Sequence, residues 1–581
     1  MPTDQITPVL FEPSTISIAS SGRSKGRSRR SLLVISILTS AFAAAGIAWG
    51  LWLRTFQLGQ PDPDDWYNVF YVLFARHEPA GLLIVAIFSF AAAILFYRKQ
   101  APVDQSRIQA FDTTRCLCLA VAVFAFALAA IGTQIVFHNY ALTADEFMTD
   151  FQAQIFLRGK LAAQVPAEWI PALRVIQPTF ATYFPATHTW NSPYLPVYAA
   201  MRAVFQSIQL QSLLNPLLAA ISVLALFGTA RNIWPQKSHG LIAIGLLVSS
   251  AQFLLMSMTS YAMPAHLALN TIWLWLYSRP ERRLFFLAPF VGVLAIGLHQ
   301  PVVHALFAAP FLLRLVWQRR WVPVVAFGLI YFAGCVTWYF WMKIYQAPVP
   351  GGVGTFFRLL NPRMFIIQPM NLLLLIGWLS LPVALLAVYG FGSFFKLSPF
   401  LRDCTLSCLI TFGFYYFFAF DQAHGWGYRY FHGTLGCLML VSVAGFERLS
   451  NLVGGRRAQI FLWSGIAASL LIQLPLRCAQ AEAFVRPYAR TAAVLHAVPT
   501  DIVAFDASDA WYSADLIRND PFLEGRPVVV SLLRLTPAAL AVLEKHSSVR
   551  ILTRDDLSRF GMFTSHAKNY PRGPFASDPS R

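Results

Sequence analysis

The sequence predicts an all-α polytopic membrane bundle of about thirteen transmembrane helices, with a small soluble α/β domain at its C-terminus. Three observations predict it. Of 581 residues, 56% are hydrophobic and only 12% charged, with mean hydropathy +0.53, beyond what a soluble domain with a polar surface carries. The apolar runs reach the roughly 17 to 25 residues that cross a hydrocarbon layer of about 30 Å, and they lack the period-2 alternation of barrel strands. Acids nearly vanish mid-chain, where Glu281 and Asp403 alone stand between Trp169 and Phe420, and they return after Ala479.

Residues 1–30 form a polar tail, with Arg23, Lys25, Arg27, Arg29 and Arg30 just ahead of the first apolar run. That run, 31–53, is long and lacks a small-residue cleavage site, so an uncleaved anchor is expected, with a signal peptide as the alternative. A second span near 80–97 completes an N-terminal unit, 31–116. A core unit, 117–476, holds spans near 117–138, 212–230, 239–258, 262–278, 284–299, 301–318, 321–342, 366–390, 404–420, 430–446 and 458–476. The segment 477–581 is different material: Asp501, Asp506, Asp509, Asp515, Asp520 and Glu524 return, and β-like runs at 502–505 and 528–530 alternate with a helical stretch at 537–545.

With the basic tail cytoplasmic, every even-numbered turn is basic, from Arg98, Lys99, Arg107 and Arg115 to Arg448, Arg456 and Arg457, as the positive-inside rule requires. The loops 54–79, 139–211, 343–365 and 421–429, with short turns near Ser260 and His299, then face outward from the cell (inner) membrane. An odd number of spans puts the C-terminal domain there as well. The net charge of +18 follows from orientation and anionic-lipid contact and does not imply nucleic acid. Cys116, Cys118, Cys335, Cys404, Cys408, Cys437 and Cys478 lie in or beside apolar runs without a paired CxxC set, which speaks against a disulfide framework or a zinc site.

Polar, titratable residues concentrate on the outward half. Asp145 and Glu146 open its first long loop. Their plain reading is a capped helix start, in which Thr143 or Asp145 caps and Glu146 favours the positive end, and capping does not exclude chemistry. His77, His138, His188, His266, His299, His304, His424 and His432 map to the same half; any one of them alone reads as a hydrogen-bonding residue at a helix end. Lys343, Arg358 and Arg363 share a loop with no acid beside the run Gly351, Gly352, Val353 and Gly354. Outward cations call for a partner such as phosphate, unless they snorkel to lipid headgroups. The segment 421–432 packs Asp421, His424, Trp426, Arg429, Tyr430 and His432 around Gly425 and Gly427, a pattern suited to a sugar's apolar face and hydroxyls, with Arg429 for a phosphate. A third piece, 187–196, includes His188, Trp190 and the run Ser192, Pro193, Tyr194, Leu195 and Pro196. It precedes a short apolar helix, 197–205, expected to lie along the outer surface.

An acidic pair after an early span, a loop helix at 151–159, the Pro/Tyr-rich segment before a surface helix, a multispan bundle and an extracytoplasmic tail together resemble the GT-C superfamily of integral-membrane glycosyltransferases. This superfamily includes protein O-mannosyltransferases, lipid A aminoarabinose transferases and rhizobial lipopolysaccharide galacturonosyltransferases. The resemblance covers roughly 117–476. It departs where the family often doubles a proline before the surface helix, and where many members carry a further acid and this chain has the stretch from Tyr261 to His266. It implies a polyprenyl-phosphate-linked sugar donor, a glycan, lipid or protein acceptor, and a first-loop acid at the reaction centre. That acid is Asp145 here, with Glu146 beside it.

The chemistry fits on its own terms. A leaving phosphate is weakly basic, so one carboxylate to take the acceptor's proton and cations to hold the departing charge suffice. Asp145 is then the base, Arg429 the phosphate residue with Lys343, Arg358 and Arg363 as helpers, and His188, Trp190, His266, His299, Asp421, His424, Trp426, Tyr430 and His432 the sugar and acceptor contacts. Direct attack inverts the anomeric centre. No cofactor is required; a divalent metal on His188, His299, His304 or His424 is the alternative, although none of these pairs has a two-ligand spacing. The rival from another class is a transporter or flippase of lipid-linked saccharides.

Overall fold

The computed structural model describes residues 22–55, 66–97, 114–346, 357, 362–418, 422, 425–507, 510, 512–545 and 548–562. Residues 1–21, the glycine run 351–354, Arg358, Asp421 and His424 lie outside the described residues, while the backbone of the basic run from Arg23 to Arg30 is helical and continues into the first span.

The chain is a polytopic helical bundle, and each of the expected spans falls on a helix or a bent pair of helices. The first three are α1 (Gly22–Thr55), α2 (Trp66–Tyr97) and α3 (Thr114–Ile135). Among the described residues seven helices are long and apolar enough to cross a bilayer, or up to nine if each bent pair is one span. The other expected spans fall on Met263–Tyr277, Arg283–Ile296, Pro301–Trp317 and Pro399–Phe414. At 1.5 Å per residue these are shorter than a hydrocarbon layer of about 30 Å. Met263–Tyr277 is buried along almost its whole length, a core helix rather than a lipid-facing one.

Two stretches expected as continuous spans, 239–258 and 366–390, are bent. Lys237–Val248 turns by 65° into Ala251–Ser257, and Met364–Trp378 by 119° into Leu381–Phe391. A break in an apolar interior frees backbone groups that need partners. Here the two breaks supply each other. Ser249 Oγ donates to Ser380 Oγ at 2.7 Å, Ser250 Oγ to Trp378 O at 3.3 Å, and the Leu381 N–H to Ser469 Oγ at 2.9 Å. Small residues bring Leu381–Phe391 close to the helix Leu435–Val453. A Cβ on Gly445 would sit 1.9 Å from Leu386 O, and one on Gly390 2.4 Å from Val441 O.

Between α3 and the helix Leu214–Ile233 the chain builds a folded loop. It starts with α4 (Ala144–Leu157), continues through an antiparallel sheet of β1 (Ala163–Gln164), β2 (Thr182–Phe184) and β3 (Thr189–Asn191) in the order β1-β3-β2, and ends with the helix Pro196–Ser207. The C-terminal segment forms a parallel sheet, order β5-β4-β6, from β4 (Ile502–Phe505), β5 (Val528–Ser531) and β6 (Val549–Leu552). Its pleat divides the side chains between two cores. Ile502, Ala504, Val528 and Val530 join Phe151, Trp169, Val175 and Trp190 of the loop. Val503, Phe505 and Val529 face the large core that also contains Phe484 and Tyr488. The loop and the C-terminal sheet therefore lie on one side of the bundle.

Candidate active site

α4 starts just past α3. Thr143 precedes its first turn in an extended conformation, and Asp145 and Glu146 fall within that turn, where the positive end of the helix favours acids. Their surroundings divide their tasks. Glu146 is fully buried; its Oε2 accepts the Thr143 backbone N–H at 3.2 Å and its Oε1 the Ser260 N–H at 3.0 Å. It pins the start of α4 to the turn after Ala251–Ser257. Burial pushes this carboxyl up to about 7 against those two N–H bonds.

Asp145 gives its oxygens to side chains. Oδ2 accepts from Arg429 Nη1 at 2.6 Å, and Oδ1 from the Tyr194 hydroxyl. Burial alone would raise this carboxyl, but the Arg429 guanidinium, His299 and the Tyr194 hydroxyl outweigh it and hold the group below the usual carboxylate range. Asp145 is therefore ionised at neutral pH.

Arg429 begins the span Arg429–Val453, and two glutamines hold the loop before it. Gln422 accepts the Arg429 backbone N–H at 2.8 Å and donates to Gly427 O at 3.1 Å. Gln252 accepts the Tyr428 N–H at 3.1 Å and donates to Tyr428 O at 2.9 Å. Gly427 has φ +82, and a Cβ there would meet Gln252 Oε1 at 2.5 Å, so the turn needs glycine. The guanidinium lies 5.2 Å from the Tyr261 ring and 5.5 Å from the Tyr430 ring, with its Nε unpartnered among the described residues.

The described histidines have different surroundings. His299 stacks on Tyr194 with ring centroids 4.0 Å apart, which places it behind the Asp145 hydroxyl donor. His266 and His432 are buried, and neither ring of either has a hydrogen-bond partner among the described residues. Gly433 sits against His266, since a Cβ there would lie 3.4 Å from His266 Cβ. His304 is engaged by Asn270 and Tyr331, both at 2.8 Å. His188 is exposed in the turn between β2 and β3, bonded to Tyr183 at 2.8 Å.

Several expected site residues are placed elsewhere. Trp190 is fully buried in the core between loop and C-terminal sheet, its indole N–H given to Pro521 O at 2.7 Å. Trp426 packs edge-on against Phe137 at 5.3 Å and lines a small pocket with Phe70, His77, Glu78, Trp378 and Gln422. Tyr430 stacks on Tyr415 at 4.6 Å and shows only its cation-facing side to Arg429. Lys343 is exposed in the last turn of Trp321–Tyr345, and Arg363 is half-buried at the start of Met364–Trp378; neither is a partner of Asp145. Arg358, Asp421 and His424 are outside the described residues.

Tyr194, Tyr261 and Gln422 are the site residues that the sequence reading left unassigned. Tyr194 had a signal, since it lies inside the Pro/Tyr-rich segment. Among the described residues no three His, Cys, Asp or Glu side chains converge as metal ligands. The arrangement offers an ionised carboxylate, a phenol and a guanidinium converging where loop meets bundle. It can take a proton and hold an anion within a few ångströms.

No family model matches the chain, and no curated protein sequence matches it. Solved structures do. The crystal structure of ArnT from Cupriavidus metallidurans bound to undecaprenyl phosphate superposes with a TM-score of 0.51 at 11% identity, over 71% of this chain and 86% of that one. The apo state of the same protein gives 0.47 at 11% identity, over 77% and 87%. The first comparison shows a shared fold.

Proposed function

We propose that this protein is a membrane glycosyltransferase that moves a sugar from a polyprenyl-phosphate carrier to a glycan, lipid or protein acceptor on the outer face of the membrane. The observation that carries this is the Asp145–Arg429 pair at 2.6 Å, with Tyr194 on the other carboxylate oxygen. The shared fold with an ArnT structure that holds undecaprenyl phosphate supports the donor class.

At rest Arg429 neutralises Asp145. A donor phosphate competes for the guanidinium, whose planar fork suits its oxygens. As Arg429 turns to the phosphate, the Asp145 carboxylate loses its strongest stabiliser and becomes a better base. The acceptor oxygen attacks the anomeric carbon, its proton passes to Asp145, and the C–O bond to phosphate breaks. The electron pair leaves with the carrier phosphate, held by Arg429. A single displacement inverts the anomeric centre.

The bent helix pairs are a feature that transporters share. In this chain the breaks are closed by hydrogen bonds to one another and to Ser469, which favours a static bundle over a moving one. Asp145→Asn separates the readings in the reconstituted full chain with a labelled polyprenyl-phosphate sugar. Transfer is expected to fall about 10²- to 10⁴-fold with donor binding retained. Unchanged transfer sinks the assignment of Asp145, and transbilayer movement of the donor without any transfer favours the transporter.

A further inference from the structure

The first turn of a helix presents backbone N–H groups without intrahelical partners. A carboxylate at the start of a helix can accept one of them. Asp145 does not, because two other carboxylates take that task. Glu146 accepts the Thr143 N–H at 3.2 Å, and the Ala144 N–H goes at 2.9 Å to Asp515 Oδ2, from the C-terminal domain 371 residues away. Both Asp145 oxygens are thereby left for Arg429 and Tyr194.

Asp515 does not reach α4 alone. Arg518, one turn further on, donates through Nη2 to Ala141 O and to Leu142 O at 3.3 Å, and its guanidinium covers the Tyr140 ring at 4.0 Å and the Phe147 ring at 5.2 Å. Its Nε donates back to Asp515 O at 3.0 Å, so the two residues move as one piece. The same segment anchors itself to the loop through Asn519, which donates to Ile176 O and Val529 O, both at 2.9 Å, and through the Pro521 carbonyl on Trp190. At the far end of α4, Arg158 pairs with Glu524 at 2.6 Å. One strap, 515–524, therefore runs beside α4 from its first turn to its C-cap. Arg158–Glu524 is exposed and adds little; Asp515 and Arg518 are the members that touch the turn bearing Asp145.

We propose that Asp515 and Arg518 are positioning residues: the C-terminal domain enters the active site through them, holding the first turn of α4 so that Asp145 points at Arg429 rather than capping its own helix. The inference rests on the reading of Asp145 as the base. It gives the C-terminal domain a task in the reaction, and it places that task in the chemical step, because neither residue touches Arg429.

The test uses the full chain in lipid nanodiscs, with steady-state transfer from a polyprenyl-phosphate sugar and amide hydrogen exchange. Asp515→Ala is expected to lower kcat at least tenfold with the donor KM within twofold, and to speed exchange at least tenfold across residues 143–148. Asp515→Asn keeps an oxygen for the Ala144 N–H and is expected to stay within about threefold of wild type in both readouts. Arg518→Ala tests the other half of the clamp without altering Asp515, with the same direction of change in kcat and no change in KM. A kcat within twofold of wild type in Asp515→Ala and Arg518→Ala overturns the proposal, as does Asp515→Asn failing as badly as Asp515→Ala. Should the wild-type chain transfer no sugar, the proposed function falls, while exchange at 143–148 still decides the clamp.

Discussion

Asp145 and Glu146 are neighbours in sequence with opposite electrostatic fates, because one faces a guanidinium and the other two backbone N–H groups and the Thr143 hydroxyl. The raised Glu146 carboxyl, near 7 against an ordinary 4.5, binds its proton more tightly in the folded chain than in the unfolded one. Its contribution to stability is therefore fully present below pH 4.5 and is lost as pH rises through about 7. Asp515, raised to about 6 by burial, acts in the same direction over a lower range. In thermal unfolding of the purified protein between pH 4.5 and 8, Glu146 is expected to contribute a limb on the order of 3 kcal/mol that falls as pH rises, opposed at the lower end by buried His299, which is pushed down to about 4 and adds stability as pH rises toward 6.5. Glu146→Gln should flatten the limb near pH 7 and leave the one near pH 6; an unchanged slope means that Glu146 does not titrate there. Asp145 and Arg429 stood out in the sequence because each was an outlier, an acid in an acid-poor chain and a cation in a loop expected to face outward. Tyr194 was one of 20 tyrosines in an aromatic-rich chain, and Asp515 one acid in a tail full of them, so composition could not single either out.

The elements were legible where hydropathy alone decides them. Every expected span lies on a helix or a bent pair of helices, and β4 and β5 lie where the Ile502 and Val528 runs were read as strands. The bends were not legible, because an apolar run looks the same whether it is straight or folded back on itself, and Ser249, Ser250 and Ser380 find partners only across the bundle. Close helix approach leaves a sharper trace. Gly445 accommodates Leu386 O at a distance no Cβ tolerates, and the obstacle is backbone rather than a mobile side chain. Gly445→Ala is thus expected to cost about 1–3 kcal/mol as the two helices separate. Gly328, in the helix Trp321–Tyr345, has nothing within 4 Å of such a Cβ, so Gly328→Ala should be neutral or slightly stabilising through its helix propensity. Detergent-solubilised unfolding of the two variants side by side checks this, and equal midpoints would contradict the packing argument.

At the scale of the whole molecule, two arguments that share no residue bear on sidedness. The distribution of lysine and arginine over the loops predicts that 139–211 and the C-terminal segment lie outside, with an even number of crossings between them. Packing says independently that they share a side, because Trp190 and Val175 of the loop lie in one core with Ile502 and Val530 of the sheet. A core cannot form across a bilayer, so a loop and tail on opposite sides would leave those faces bare. Only the charge argument says which side that is. Single cysteines in a cysteine-free background, labelled in intact cells with a membrane-impermeant maleimide, test both at once. Exposed positions are needed, and Ser192 is unsuitable because it is buried. Thr187 in the β2–β3 turn and Glu544 in the C-terminal domain are exposed, as are Gln236 and Arg319 on the basic side. Thr187→Cys and Glu544→Cys are expected to label from outside, and Gln236→Cys and Arg319→Cys only after the membrane is opened. Labelling of Thr187→Cys and Glu544→Cys from opposite sides would break the packing argument. Labelling of the pair together from within would keep the site intact and move it to the cytoplasmic face, where the donor sugar would have to be presented.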